Sequence, residues 1–542
     1  MNRILILVLA ILCPIVGFVL AQEPIQNLPM VKIQIYTPDS SVRLAAADLA
    51  TVDPSERPNI RYLSLYNVPA ESRRDVAATV SFVVNSLSKR RKIHIPVFVG
   101  GSDETLIRIN IDQYEWKSKA WDDLACNGSG PKAQAEPYFH AFIERIVTAD
   151  PIRRTVTKKV SGTKRVFSGF YQQGQPIFHD VPTEQTIEVI EETPGVSTKK
   201  RTFSGAPWVD ATALTYLIHN TQSESPILRA DWFIVNSTLA PAYYNFLGLG
   251  DNIKDFQKLV FADEKLAEQA RSKDKAVVIS SIVARNNRTL NRSPTFTGGY
   301  YWQSHDSLKS VDDRQYIQNL LNEKYDATED IATLPNGLQA YFLTDGEGKR
   351  LDFANPDIAI DNTAHDRLVR TARSCIICHA SGILPIADEV RTLTKKLQNQ
   401  EQIKLLVTDK KDAFKIEDLF SSDLDEQILK DQNLYSSAVA RATGLRMDVN
   451  AKNYATIYDR YQEVLVSKEV IARDLGVNID DVEKMIRMSN DPVVLALVRF
   501  PPGPVRRDQW ERSYQGMMLI MLAQRQGLVP HQPLPPFITP RK

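Results

Sequence analysis

Cys375 and Cys378 stand three residues apart, and His379 follows the second directly, in the run Ser374-Cys375-Ile376-Ile377-Cys378-His379. The chain of 542 residues holds four cysteines and eight histidines, so this grouping asks for a chemical reason. Four chemistries compete. A redox-active C-x-x-C belongs at the strand-to-helix junction of a thioredoxin-like unit, and the flanks here do not read that way. A zinc site needs about four ligands, and the sequence offers no second C-x-x-C or H-x-x-x-H pair. A structural disulfide would give the adjacent histidine no role. Covalent haem attachment uses all three residues: two thiols add across the two vinyl groups, and the imidazole stands beneath the iron as its proximal ligand. The spacing predicts one covalent haem c, attached through Cys375 and Cys378 and ligated by His379. A disulfide beside an unrelated histidine is the alternative.

The chemistry of such a haem depends on its other axial position. Methionine there makes a relatively high-potential electron carrier, whereas an open position admits small ligands or peroxidase-like reactions. Met447, in the loop-like stretch Ala442-Thr443-Gly444-Leu445-Arg446-Met447, is the candidate distal ligand. Met485, Met488, Met517, Met518 and Met521 fall at helical spacing, where methionine packs cores. His305 and His531 are the histidine options, each reading as an ordinary surface residue. The sequence does not choose among these or an open site.

The elements that must position the motif can be read from periodicity. Ala364–Arg373 reads as a helix running into it, capped by Asn362 or Thr363, with Gly382 and Pro385 as the stop. Arg367, Arg370 and Arg373 then recur every third residue, as a solvated face or as a surface for haem propionates or an acidic partner. Downstream the pattern is almost wholly helical, through segments 387–398, 425–443, 454–466 and 507–524. Upstream it is mixed: a strand, a helix and two strands between residues 60 and 111, then helical and aromatic segments after residue 207. Residues 337–353 alternate around Gly346 and Gly348 as a hairpin. Between 152 and 205 the chain is β-rich and basic, and Val160–Gly169 echoes Val196–Gly205, as two related strands would. Overall the expected fold class is α+β. A mixed α/β N-terminal portion precedes a predominantly α-helical cytochrome c-like haem domain and a helical C-terminal extension. The expected regions are a signal peptide (1–21), an α+β N-terminal region (22–150), the basic β-rich insertion (151–206), an α+β middle region (207–355), the helical haem c domain with its extension (356–526), and a Pro-rich tail (527–542).

The first 21 residues carry one cation, Arg3, then an apolar run ending Val19-Leu20-Ala21, as a cleaved secretory signal does; a retained anchor is the alternative. No later stretch is apolar for long enough to span a bilayer. A net charge of +1 gives no mandate for nucleic acid or anionic membranes. The expected compartment is therefore periplasmic or otherwise exported, which is where C-x-x-C-H haem attachment takes place and where other cysteine pairs oxidise. Cys126 reads as a buried thiol. Several decoys carry no function: Ser467–Ile486 has helix-turn-helix rhythm but suits an αα-hairpin. Asp345–Lys349 lacks the glycine and hydroxyl of a phosphate loop. Ser304-His305-Asp306 is consecutive where triads are assembled in space, and His140 with Glu144 could share a helix face.

The chain resembles a family of large exported bacterial proteins with a single C-x-x-C-H, known as cytochrome c domain-containing. The resemblance rests on RYLSLYNVP, ILRADWF, AYYNFLGLG, GGYYW, LPNGLQAYFLTDGEGKRLD and SCIICHASGILP, and the segment from about 150 to 206 looks like an insertion relative to it. It implies haem attachment at Cys375 and Cys378 with His379 proximal, and neither a substrate nor a sixth ligand. The function expected is electron transfer with redox partner proteins. The alternatives are a haem-based small-ligand sensor or peroxidase-like enzyme, and a structural or docking protein with an accessory haem. No nucleic-acid partner is expected, and no membrane span after signal cleavage.

Overall fold

Thr37 opens the first helix, Pro38–Thr51, by accepting from Ser40 N while Ser40 Oγ caps back, with Pro38 where its missing N–H costs nothing. The computed structural model describes residues 36–100, 103–148, 152–172, 175–193, 197–269, 274–278, 288–307, 325–386, 424–462, 465–499 and 502–525. The expected signal peptide, the Pro-rich tail with His531, and the helix expected at 387–398 lie outside the described residues.

Along the chain, β1 (Ile60–Ser64) is buried throughout, and the helix Arg73–Ser86 follows it. The strands β2 (Val97–Val99) and β3 (Leu106–Asn110) come next. A long excursion then supplies β4 (His140–Thr148), β5 (Ile152–Gln172), β6 (Gln175–Thr193) and β7 (Ser197–Gly205). On return, β8 (Ile227–Arg229) pairs in parallel with β1, completing a sheet of order β2-β3-β1-β8 whose other pairs are antiparallel. A second sheet is an antiparallel meander: β9 (Asp274–Val278), β10 (Arg288–Pro294), β11 (Tyr300–Asp306), β12 (Ala327–Thr333) and β13 (Gln339–Asp345). The fold is thus a mixture of α and β, as the sequence implied.

The excursion is a ribbon. β4 pairs with β7 up to Thr148 opposite Ser197, and β5 pairs with β6 from Ile152 opposite Thr193 to Gln172 opposite Gln175. The two ladders follow one another along the same pair of segments. At ~3.3 Å per residue the β5–β6 ladder alone reaches ~70 Å. The two echo sequences fall on β5 and β7, which do not pair with each other.

The helices after the motif fold back onto the first half of the chain. Leu424–Thr443 and Met447–Gln462 both pack on Arg73–Ser86, and the second also packs on Ala230–Ser237. Lys468–Leu475 and Ile479–Ser489 form the expected αα-hairpin, turning at Gly476 with φ +65°. A single apolar core therefore draws residues from Val42 to Met521, among them the fully buried Trp121, Trp232 and Trp510. The helical methionines Met485, Met517, Met518 and Met521 are buried in it. No described helix is long and apolar enough to cross a membrane.

Three local expectations are corrected. Residues 364–372 form turns and an extended segment, not a helix: Ala354 N donates to Val369 O (2.9 Å), Phe353 bridges Arg370, and Val369 is buried with Ala327 and Leu343. These tertiary pairings override local helix propensity. Of the hairpin expected around Gly346, only β13 forms as a strand. Beyond the turn, residues 349–351 return along β13, with Asp345 N donating to Lys349 O (2.9 Å), Leu351 N to Leu343 O (2.8 Å) and a Thr344–Arg350 bridge. The hairpin forms but stays short, and Lys349 and Arg350 also reach Asn252 and Asp251. The full-length partner of β13 is β12, through the turn at Asn336-Gly337. His140 lies in β4, buried beside Glu136 and not on a helix with Glu144.

Candidate functional site

The three motif residues sit at the end of one short helix, Arg373–Cys378, which His379 closes by donating its backbone N–H to Cys375 O (2.7 Å). Three features hold this helix in place. Ser374 Oγ accepts from Arg370 N (3.0 Å), and the Thr371 hydroxyl meets the Tyr244 hydroxyl at 2.8 Å. The Arg373 guanidinium, almost wholly buried, pairs with Asp361 and lies 4.8 Å from the Tyr458 ring. Ala372, just before the helix and fully buried, has φ +61° and ψ −57°, a conformation its β-carbon disfavours and the surrounding contacts impose. Ile376 is buried in the main core, while Cys375, Cys378 and His379 are each half-buried.

The side chains fit the donor set of a haem c. The Cys375 and Cys378 thiols are not joined to each other. Three apart on one helical turn, they lie on the same side of it. Burial pushes the Cys375 thiol well up and the Cys378 thiol up to about 11, so both are neutral thiols, the form whose S–H adds across a vinyl group. His379 Nδ1 lies 3.2 Å from Gly382 O. A carbonyl oxygen only accepts, so Nδ1 carries the proton and Nε2 keeps its lone pair for a metal. Burial lowers the His379 pKa, which keeps the ring neutral. A zinc cage gains no support, because no group of three His, Cys, Asp or Glu side chains converges among the described residues.

Glu329, on β12, is the carboxylate whose charge acts on all three of Cys375, Cys378 and His379, with Asp361 and Arg373 also acting on Cys378 and Arg288 opposing it at His379. It pairs with Arg288 (3.2 Å), which also forks onto Asp306 (2.9 Å to each oxygen), and Glu329 Oε1 is buried without a hydrogen bond. The motif segment covers this face of the five-stranded sheet, since Ile383 packs with Tyr300 and Trp302. The same face is tied to the Leu424–Thr443 helix by Arg292 and Trp302, both bonded to Asp431.

The other candidates are dispersed. Met447 starts the helix Met447–Gln462, not a loop, and is half-buried against the main core. That helix packs on the motif helix, with Tyr458 as its contact to Arg373. Met447 lies three turns earlier, ~16 Å along the axis. His305 is on the opposite face of the sheet from Glu329, because it pairs in register with Thr328. Arg367, Arg370 and Arg373 do not share a helix face. Arg367 is exposed with φ +59°, Arg370 is paired with Asp366, and Arg373 is buried on Asp361. Cys126 is half-buried in the helix Ser118–Asn127.

One constellation escaped the sequence reading. Arg229, fully buried, forks onto Asp231 (2.6 and 2.8 Å), pairs with Asp474 (3.0 Å) and stacks 3.7 Å over the Tyr138 ring. Arg507 and Trp510 also bond Asp474, and Glu511 accepts from the Tyr138 and Tyr461 hydroxyls. Glu511 and Arg507 line a cavity of about 450 Å³ that reaches Arg370 and Tyr458. The available signal was a charged pair, Arg229 and Asp231, inside the apolar run Ile227–Val235.

No protein-family model, no curated protein and no solved structure matches the chain. The family resemblance of the sequence therefore rests on its motifs alone.

Proposed function

We propose that this chain is an exported c-type cytochrome that carries one haem c, attached through Cys375 and Cys378 with His379 as proximal ligand, and exchanges electrons with redox partner proteins. The observation that carries this reading is the His379 Nδ1–Gly382 O contact at 3.2 Å beside two cysteines on one helical turn. A disulfide would give the fixed tautomer no role. A bound haem would supply one-electron chemistry at its iron. The chain's own part is to hold the imidazole at a set orientation, to offer two neutral thiols on one helical turn, and to place the Glu329 carboxylate alongside. Export to the periplasm or an equivalent compartment belongs to the same reading.

The test is protein made in a host that matures c-type cytochromes. Haem should stay with the polypeptide on a denaturing gel and be lost in the Cys375→Ala, Cys378→Ala double variant. Haem retained by that variant would sink the assignment. The reduced spectrum with carbon monoxide then divides the functional classes. Bands indifferent to the gas mean a six-coordinate carrier, and a shifted Soret band means a sensor or enzyme with an open face. Met447→Ala tests the distal candidate, and an unchanged oxidised spectrum removes it.

A further inference from the structure

The five-stranded sheet has a second face, turned away from the motif. Strand alternation and register place Asn291 and Ser293 of β10, Tyr301, Gln303 and His305 of β11, Thr328 and Asp330 of β12, and Thr344 of β13 together on it. The helix Ile253–Phe261 contributes Gln257 and Phe261 above them, and a cavity of about 550 Å³ lies between. That volume is within the ~300–1,000 Å³ usual for small-molecule sites.

Its polar lining is organised. Asp330, almost wholly buried, accepts from Gln303 (2.8 Å), Thr328 (2.7 Å) and the Tyr301 hydroxyl, and Thr328 meets Thr344 at 2.6 Å. At one end, Asn291 Nδ2 lies 2.9 Å from His305 Nε2, and the His305 ring sits 4.1 Å from that of Tyr325. The remaining polar atoms of this pair, Asn291 Oδ1 and His305 Nδ1, are buried and have no hydrogen-bond partner among the described residues. With Nε2 accepting from the amide, His305 Nδ1 bears a hydrogen to donate and Asn291 Oδ1 waits to accept. With the amide turned over, the roles exchange. In both cases the pair presents one unsatisfied donor and one unsatisfied acceptor.

That demand selects a ligand. A carboxylate or phosphate accepts but does not donate, and an ammonium donates but does not accept. A hydroxyl does both. The floor beyond the pair is hydroxyl and amide, and Lys275 stands beside Asn291 across the strand pair. Exposed Lys254 and Glu268 add one charge of each sign, and aromatic rings at Tyr301, Tyr325 and Phe261 offer apolar surface to C–H groups. We propose that this face binds a small neutral polyhydroxylated molecule, a mono- or disaccharide, with one hydroxyl held between Asn291 and His305. The proposal is independent of the haem reading, since it uses no motif residue.

The experiment is ligand-observed saturation-transfer NMR on the full-length protein. The probes are D-glucose, D-galactose, N-acetyl-D-glucosamine and maltose, beside their charged counterparts D-glucuronate and protonated D-glucosamine. At least one neutral sugar should show transfer, with the charged counterparts weaker. Asn291→Leu should weaken the neutral sugar by about tenfold or more. Gln257→Trp, at the partly exposed wall, should block the cavity without touching the buried pair, and it gives the answer if Asn291→Leu does not fold. Near-UV circular dichroism checks the fold of each variant. Absence of transfer from every neutral sugar, a preference for the charged probes, or equal transfer in folded Gln257→Trp protein would each overturn the site.

Discussion

His379 and Gly382 hold each other twice. Gly382 N donates to His379 O at 2.9 Å, and the His379 ring returns the contact from Nδ1 to Gly382 O at 3.2 Å. The ring is thereby oriented by the loop that ends the motif helix, at a residue whose φ of +82° suits glycine.

Gly382→Ala should cost about 1 kcal/mol of stability, because a β-carbon resists that backbone conformation. The shifted carbonyl should also loosen the tautomer. Ring ¹⁵N shifts of His379 in haem-free protein should report a protonated Nδ1 in the parent and a tautomer mixture in the variant. Identical shifts in the two proteins would mean that Gly382 does not orient the ring.

Glu329 places a negative charge beside His379. If the chain holds the haem proposed above, a carboxylate near the iron favours its oxidised, more positive state, so removing it should raise the reduction potential. Glu329→Gln is expected to move the midpoint upward by tens of millivolts in a spectroelectrochemical titration. A downward shift would contradict the assigned sign of the interaction.

Arg229 neutralises two carboxylates in the interior, Asp231 and Asp474. Arg229→Ala leaves them facing a void with half of their compensation gone, and such a break costs about 3–5 kcal/mol. Urea unfolding should show that loss. A loss under about 1 kcal/mol would mean that water or Arg507 takes over the pairing.

Burial raises the Glu511 carboxyl to about 7 from its usual 4.5, against the opposing pull of Arg507 and the two tyrosine hydroxyls. Between those two values the folded protein holds a proton that the unfolded chain has released. Stability from this group is therefore fully present below pH 4.5, falls as pH rises towards 7, and is flat above. Glu511→Gln keeps a neutral side chain at every pH. Between pH 5 and pH 8 the parent should lose more stability than the variant, by up to about 3 kcal/mol. Parallel losses in urea midpoints would exclude Glu511 as the titrating group.

The β5–β6 ribbon pairs along its length with itself, and its described side chains, among them Lys164, Arg165, Asp180 and Glu184, are exposed. Thr148 and Ser197 are partners across the ladder, close enough to be joined by a two-residue turn. Replacing residues 149–196 with Asn-Gly should leave the melting temperature of the remainder within a few degrees. A large drop would mean that the ribbon supports the core.

Much of the candidate site is legible without coordinates because its chemistry is local. Cys375, Cys378 and His379 reach one another within a single helical turn, so their spacing alone brings the three side chains together. The αα-hairpin at Gly476, most of the helices from Leu424 onward and the strand β13 also follow from short-range periodicity and turn residues. Residues 364–372 do not. Their helical pattern yields to pairing with Asp352–Ala354 and to burial of Val369, contacts that exist only once the sheet has formed.

What the amino-acid order determined, then, is the presence of a C-x-x-C-H motif and most of the described helices after it. Tertiary structure alone decided that Glu329 borders His379, that Arg229 meets Asp474, and that His305 faces away from the motif beside Asn291. Each of those pairings joins residues on different elements whose separation is set by sheet register and helix packing. Local sequence cannot encode such distances, because they depend on the burial of every surface in between.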